Sequence, residues 1–470
     1  MDWPIVFRAT VIEWTSGWRA ATVVLLLLTL IMSVVLLRGP ASRDVHKRGT
    51  RILVGGRARR RASQLRKRAR GSNAPPLTLA GVPVAALDET KHFKLIGTTG
   101  TGKSTAIREL LRCALQRGDR AVIADPDAGY LASFHDRYRG DVVLNPFEKY
   151  AVKWDPFAEI HALYDIDQLA GGLIPSTEDA SGREWRGYAR TFLTAVLRRC
   201  HERGTRDVAE LWRLLAVAPG SELRPIVSGT PAQPFLEPDN ARMFGSIRSV
   251  AGSAAAALAY IKDQRAAPFS VRKWVASGHG VLFVPYEAGQ IPALRSIIAT
   301  WMRLAIVETM SHPEEDQRLW FVVDELDALG AIDGLKDALA RLRKFGGRCV
   351  LGFQSIAQVS STYGAGEAQT IVENCGNTLI LRCSGSENGG TSQFASRLIG
   401  EREVVRRQTS RGRDRDGWFA SRNSRRSTSV SEQHVTEAAV MASELEQLPD
   451  LTGYLKTASS GEWLRVSFAR

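Results

Sequence analysis

The stretch from His92 to Thr105, HFKLIGTTGTGKST, limits what this chain can fold into more than any other. Gly97, Gly102, Lys103 and Ser104 fit the spacing G-x-x-x-x-G-K-[ST], in which a glycine-rich turn wraps a phosphate. The apolar run Phe93–Ile96 reads as a buried strand and Ser104 to Leu115 as a helix, which is the strand–loop–helix context the chemistry needs. Glycines at 97, 100 and 102 let backbone N–H groups and the helix N-terminus close on an anion. The run Gly97, Thr98, Thr99, Gly100, Thr101, Gly102, Lys103, Ser104 and Thr105 is therefore expected to cradle a nucleotide. Lys103 would reach the β- and γ-phosphates and the Ser104 hydroxyl would sit on Mg²⁺. An ordinary glycine-rich turn before a helix is the rival reading, and a full match in this context leaves it little room.

A phosphate loop needs carboxylates opposite it. Leu319-Trp-Phe-Val-Val-Asp324-Glu325 is an apolar run that ends in two of them. A buried strand there delivers Asp324 to the edge of the site, where it can hold Mg²⁺ with Ser104. Glu325, one residue on, is placed to orient and deprotonate an attacking water. Gln354 closes the next apolar run, Val350–Phe353, and a parallel sheet would bring it to the same carboxyl edge. It reads either as a sensor of the γ-phosphate or as a polar strand end. Arg341, Arg343, Lys344 and Arg348 lie between these two motifs. They read equally as a solvated helix end or as the source of an arginine that reaches a neighbouring subunit's γ-phosphate.

Charge is unevenly placed. Of the formal +14, residues 1–70 supply fifteen Lys/Arg against Asp2, Glu13 and Asp44, so the remaining chain is close to neutral. Ahead of the basic run lies Ala20 to Leu37, uncharged and almost wholly apolar. As a helix it would be ~27 Å long, just enough for a bilayer core. Trp14 and Trp18 stand where an interfacial belt would lie. A cleaved signal peptide fits less well, because Asp2 and Glu13 spoil the basic start and no small-x-small site precedes Arg38. One uncleaved span is expected, with the following arginines and the bulk of the chain on the cytoplasmic side. The basic stretch after it reads as a membrane-surface contact ahead of a DNA-binding arm. Five cysteines without C-x-x-C spacing exclude a disulfide framework, and eight histidines without ligand spacing argue against a structural transition metal.

The expected organisation has four parts. Residues 1–40 form the membrane anchor and 41–76 a basic juxtamembrane linker. Residues 77–155 and 278–470 alternate strand and helix as a parallel α/β sheet does. Residues 156–277 form an all-α insertion, with Trp185, Tyr188, Phe192 and Val196 at helical spacing. Trp154, Trp185, Trp212 and Trp274 read as core in and beside that insertion rather than as base-stacking platforms. Arg402 to Gln433 is polar and Ser/Arg-rich, and is expected as a mobile surface loop or hairpin.

From Leu77 onward the chain resembles the coupling-protein ATPases of bacterial conjugation and type IV secretion. The likeness rests on KHFKLIGTTGTGKST, DPDAGYL, LNPFEKYAVKWDPFAEI, LFVPYEAGQIPALRSIIATW, LWFVVDELDALG, LRKFGGRCVLGFQS and YGAGEAQTIVENCGNTLILR, taken together. It implies a RecA-like P-loop NTPase domain with an inserted all-α domain, behind an N-terminal transmembrane helix. The family usually has two membrane helices where this sequence offers one. The resemblance further implies a homo-hexamer in the bacterial inner membrane that hydrolyses ATP with Mg²⁺ to move single-stranded DNA. That DNA, with a bound relaxase, would enter the channel proteins of a type IV secretion system. On matching positions Lys103 and Ser104 would bind nucleotide and metal, Asp324 and Glu325 would be the metal and base residues, Gln354 the sensor and Arg343 the trans-acting arginine. A different class of answer is a membrane docking platform that recruits protein substrates and uses ATP only as a switch.

Overall fold

The computed structural model describes residues 45–69, 75–176, 180–313, 318–386, 389–413 and 426–468. The expected span, Ala20 to Leu37, and the middle of the Arg402–Gln433 segment lie outside the described residues. Among the described residues no single helix is long and apolar enough to cross a membrane.

The chain divides into two units, residues 50–400 with 438–470 and residues 1–49 with 401–437. The larger is built on a ten-stranded sheet whose strands, in chain order, are β1 (Arg51–Leu53), β2 (Phe93–Ile96), β3 (Arg120–Pro126), β4 (Val142–Val143), β5 (Val281–Tyr286), β6 (Leu319–Val323), β7 (Gly347–Phe353), β8 (Asn377–Ile380), β9 (Thr452–Lys456) and β10 (Glu462–Ser467). They lie in the order β1-β10-β9-β8-β2-β7-β6-β3-β5-β4. From β8 to β4 every neighbouring pair is parallel, while β9 runs antiparallel to both β8 and β10.

The central strands are buried along their whole length because helices cover both faces. Alternation along β6 sorts the two sides. Trp320 and Val322 pack with Ala106, Ile107, Leu110 and Leu111 of the helix Lys103–Gln116, whose buried positions recur at helical spacing. Leu319, Phe321 and Val323 face the other core, which holds the helix Ile291–Thr309 and the helical insertion.

That insertion contains the helices Leu163–Leu173, Ala180–Glu202, Val208–Ala216, Gly220–Val227 and Ala241–Lys262. A two-residue parallel pairing, Lys153–Trp154 with Pro268–Phe269, ties its two ends together, and it places a short strand inside 156–277, which the sequence reads as all-α. Beside the pairing Glu159 is buried, and it accepts hydrogen bonds from Trp154 Nε1, the Ser270 hydroxyl and the Val271 and Arg272 backbone amides. Trp154 and Trp274 are buried, and Trp185 and Trp212 pack against the same core.

Residues 51–69, read from sequence as linker, are folded. β1 extends the sheet alongside β10, and the helix Gly55–Ala69 packs Ala58, Ala62 and Leu65 onto the domain. Arg66 also donates to the Gly81 carbonyl oxygen, and the basic composition hides the apolar seat. The smaller unit holds a three-stranded sheet in which Val45–Gly49 runs antiparallel to Glu401–Arg413, and Arg426–Ala438 lies on the far side of that strand. The Ser/Arg-rich segment is thus strand on both flanks. Its charges pair across the sheet: His434 and Arg48 bond Glu403 and hold that carboxyl down to about 2, while Arg402 and Arg406 share Glu437.

Candidate nucleotide site

Parallel strands send their following loops to one edge of a sheet, and the site lies there. The loops after β2, β6 and β7 bring Lys103, Ser104, Asp324, Glu325 and Gln354 into one cleft. Backbone shape makes this fit. Gly100 and Gly102 have φ of 76° and 115°, in the left-handed region that a side chain resists. A Cβ on Gly102 would also lie 2.8 Å from Leu451 Cδ2. Thr101 Oγ1 donates to Thr98 O at 2.7 Å, and Lys103 Nζ donates to Gly97 O at 2.7 Å and Thr98 O at 3.2 Å. Burial pulls the Lys103 ammonium below its usual pKa, and the charges of Asp324 and Glu325 oppose that pull.

Ser104 Oγ donates to Asp324 Oδ2 at 2.6 Å, joining residues 220 positions apart. The Tyr130 hydroxyl donates to the same oxygen at 2.7 Å. Asp324 Oδ1 is buried and has no hydrogen-bond partner. A buried carboxylate oxygen left over beside a serine hydroxyl fits Mg²⁺, which prefers one or two protein oxygens and takes the rest of its shell from phosphates and water. Among the described residues no group of three or more His, Cys, Asp or Glu could cage a metal unaided. Ser104 and Asp324 are the residues that would hold it.

Glu325 accepts a hydrogen bond from Gln354 Nε2, and Gln354 Oε1 accepts one from Thr99 Oγ1 at 3.1 Å. Burial raises the Glu325 pKa, with Asp324 and Asp327 adding to the rise and Gln354 working against it. A carboxylate moved toward neutrality is a stronger base than a free one.

Arg343 is not in this cleft. It is exposed at the end of the helix Leu335–Leu342, ahead of β7, whereas the site lies past the other end of that strand. Seven residues of strand separate the two by ~20 Å. Arg341 and Lys344 are exposed nearby, and Arg348 is buried against Glu89 at 3.1 Å, which makes it structural. Three participants escaped the sequence. Leu451 lines the cleft and donates its N–H to Thr101 O at 2.9 Å. Gly352 lets β7 pass Asp324, since a Cβ there would sit 2.0 Å from the Asp324 carbonyl oxygen. Tyr130 arrives from the short helix Gly129–Phe134 that follows β3. A glycine just before Phe353-Gln354 was the available signal for the second, DPDAGYL held the third without marking its role, and nothing local marked Leu451.

A glycine cradle, a lysine, a serine–aspartate pair and a glutamate at the carboxyl edge of a mostly parallel sheet define a P-loop nucleotide-binding site. Residues 76–469 match the family described as the type IV secretion-system coupling protein DNA-binding domain, and the chain belongs to that family. It is 30% identical over 393 residues to the coupling protein TraD of Escherichia coli (strain K12), a match that covers 81% of this chain and 52% of TraD. The chain thus spans about half the length of that relative. Among solved structures it is similar to the bacterial conjugative coupling protein TrwBdeltaN70, with 31% identity, a TM-score of 0.78 and coverage of 92% of this chain and 95% of that one. It is equally similar, with a TM-score of 0.77, to the plasmid coupling protein TrwB in complex with ADP and Mg²⁺.

Proposed function

We propose that this coupling protein is an ATPase that moves single-stranded DNA, with a bound relaxase, toward a type IV secretion channel as a membrane-anchored homo-hexamer. The observation that carries the reading is the pairing of Ser104 with Asp324 beside Glu325, in one cleft with Lys103. A nucleotide switch could do without a base, but a hydrolase that turns over repeatedly benefits from one. Glu325, fixed by Gln354, takes the proton of the attacking water. Lys103 leaves its loop carbonyls to meet the β- and γ-phosphate charge, and the loop amides hold the remainder. Bound Mg²⁺ supplies charge neutralisation across the phosphate oxygens.

In this reading Arg343, ~20 Å from its own chain's cleft, serves the γ-phosphate of a neighbouring subunit, the role its position in LRKFGG implies. A hexamer gives each site such a neighbour. Anchoring is assigned to residues 20–37, supported by their apolarity and the arginines that follow. The similar TrwB structures support nucleotide and Mg²⁺ as ligands, and the family description supports DNA as the polymer moved.

Steady-state ATP hydrolysis by the full chain, with and without single-stranded DNA, tests this reading. DNA should stimulate turnover, and the stimulation should fade with salt as phosphate contacts release counterions. Arg343→Ala should cut the rate of the assembled protein by about 10³-fold or more while sparing nucleotide binding. Rates that ignore DNA at low salt in an assembled oligomer would overturn the motor. Glu325→Gln protein that still recruits protein cargo and supports transfer would favour the docking platform.

A further inference from the structure

We propose that Tyr130 positions Asp324 for the metal, selecting which carboxylate oxygen is left for the cation. The inference rests on the nucleotide site proposed above and adds to it a residue from a different strand. Tyr130 is 1% exposed, and its hydroxyl lies 2.7 Å from Asp324 Oδ2. Ser104 Oγ holds the same oxygen at 2.6 Å. Two donors on Oδ2 fix the carboxylate's rotation and leave Oδ1 alone without a partner. With only Ser104, the carboxylate could turn and offer either oxygen.

Tyr130 is itself held firmly. β3 ends in Asp125-Pro126, and the Asp125 carboxylate accepts the backbone N–H of Tyr130 at 2.9 Å and of Leu131 at 2.6 Å. Asp127 and Ala128, between them, both lie in the left-handed region at φ 55° and 54°. That tight reversal turns the short helix Gly129–Phe134 back over the strand end. On the other side, the Arg108 guanidinium of the phosphate-loop helix sits over the Tyr130 ring at 5.5 Å. The phenol therefore bridges the helix that carries Ser104 and the strand that carries Asp324. Partners one shell out from a metal ligand tune its affinity by orienting it, and their loss typically costs about ten-fold or more.

The test is Mg²⁺-dependent ADP binding to the purified full chain, read by calorimetry with ADP in EDTA and across a Mg²⁺ titration. Tyr130→Phe keeps the ring and removes the donor. It should raise the Mg²⁺ concentration needed for half-maximal tightening by about ten-fold. Its ADP affinity in EDTA should match the wild type, whereas a merely structural role would weaken both together. In an Asp324→Asn background Tyr130→Phe should add nothing. Wild-type Mg²⁺ dependence in folded Tyr130→Phe protein would overturn the inference while leaving the nucleotide site standing. Wild-type protein that binds ADP with no response to Mg²⁺ would overturn the inference together with the metal role given to Ser104 and Asp324. Where Tyr130→Phe does not fold, Asp125→Asn, which slackens the same helix, is read in the same way.

Discussion

The two edges of the central sheet handle buried charge in opposite ways. At the amino edge, Arg117 donates two hydrogen bonds to the Glu89 carboxylate at 2.7 and 2.6 Å and also reaches Asp119 at 2.6 Å. Arg348 joins Glu89, and Trp320 Nε1 donates to Asp119 at 2.8 Å. Burial works against the Arg117 charge, and Glu89 and Asp119 more than restore it. At the carboxyl edge, Asp324 has only hydroxyl partners and a spare oxygen, Glu325 leans on an amide, and Lys103 bonds backbone carbonyls. In the amino-edge cluster both carboxylates meet a guanidinium, although Asp119 Oδ1 is also left without a hydrogen-bond partner. At the carboxyl edge Asp324 and Glu325 bond only hydroxyls and an amide, so carboxylates left without a guanidinium, rather than buried charge as such, mark the functional edge.

That contrast breaks most sharply at Glu325. Glu325→Gln should lower hydrolysis by about 10²- to 10⁴-fold, the usual contribution of a positioned base, while nucleotide binding persists. Denaturant unfolding should show stability unchanged or slightly raised, because a carboxylate crowded by Asp324 and Asp327 has been neutralised. A large stability loss would place Glu325 with the structural charges instead.

How much of this was readable in advance divides along the same line. The phosphate loop, Asp324, Glu325 and Gln354 were readable because each depends on a local pattern, a strand ending at a polar residue or a glycine turn. Tyr130, Gly352 and Leu451 were not. Their roles exist only once strands far apart in sequence lie side by side, and Tyr130 meets Asp324 across 194 positions. The helix Gly55–Ala69 was hidden by composition, since its seven Arg and Lys mask the spacing of Ala58, Ala62 and Leu65. β10 was missed because Glu462 and Arg465 interrupt the apolar run of Trp463, Leu464 and Val466. The inserted helices were readable from periodicity, but Glu159, which fastens their two ends, was not, for the same reason as Tyr130.

The amino-edge cluster should fail in the opposite way from Glu325. Glu89→Ala leaves Arg117 and Arg348 buried beside a missing partner, and removal of one member of a buried ion pair typically costs about 3–5 kcal/mol. Urea unfolding should show that loss. ATP turnover per folded molecule should stay near wild type, since the cluster lies at the far end of the strands from the cleft.

His92 sharpens the comparison most finely, because it joins the amino edge to the helix that ends at Arg343. Its Nε2 lies 2.9 Å from Leu339 O and its Nδ1 accepts the Cys349 N–H at 3.1 Å, so the fold uses the neutral ring. Burial, helped by the Arg343 and Arg348 charges, pulls its pKa down from 6.5 to about 4. An unfolded chain takes up this proton below pH 6.5 and the folded chain does not until about 4, so stability is lost as pH falls through that window and levels off below it. The total is about 3 kcal/mol at roughly 1.4 kcal/mol per pH unit. Asp125 acts against it, because burial raises that carboxyl to about 6, and the folded state then gains stability as pH falls from there toward 3.8. The two contributions taken together are therefore flatter than either alone. Subtracting the profile of His92→Asn, whose side chain tolerates the positive φ of 56°, isolates the histidine. The difference should fall with acid between pH 6.5 and 4, and a difference that does not vary with pH would mean that the ring takes up its proton at the same pH in the folded and unfolded chains.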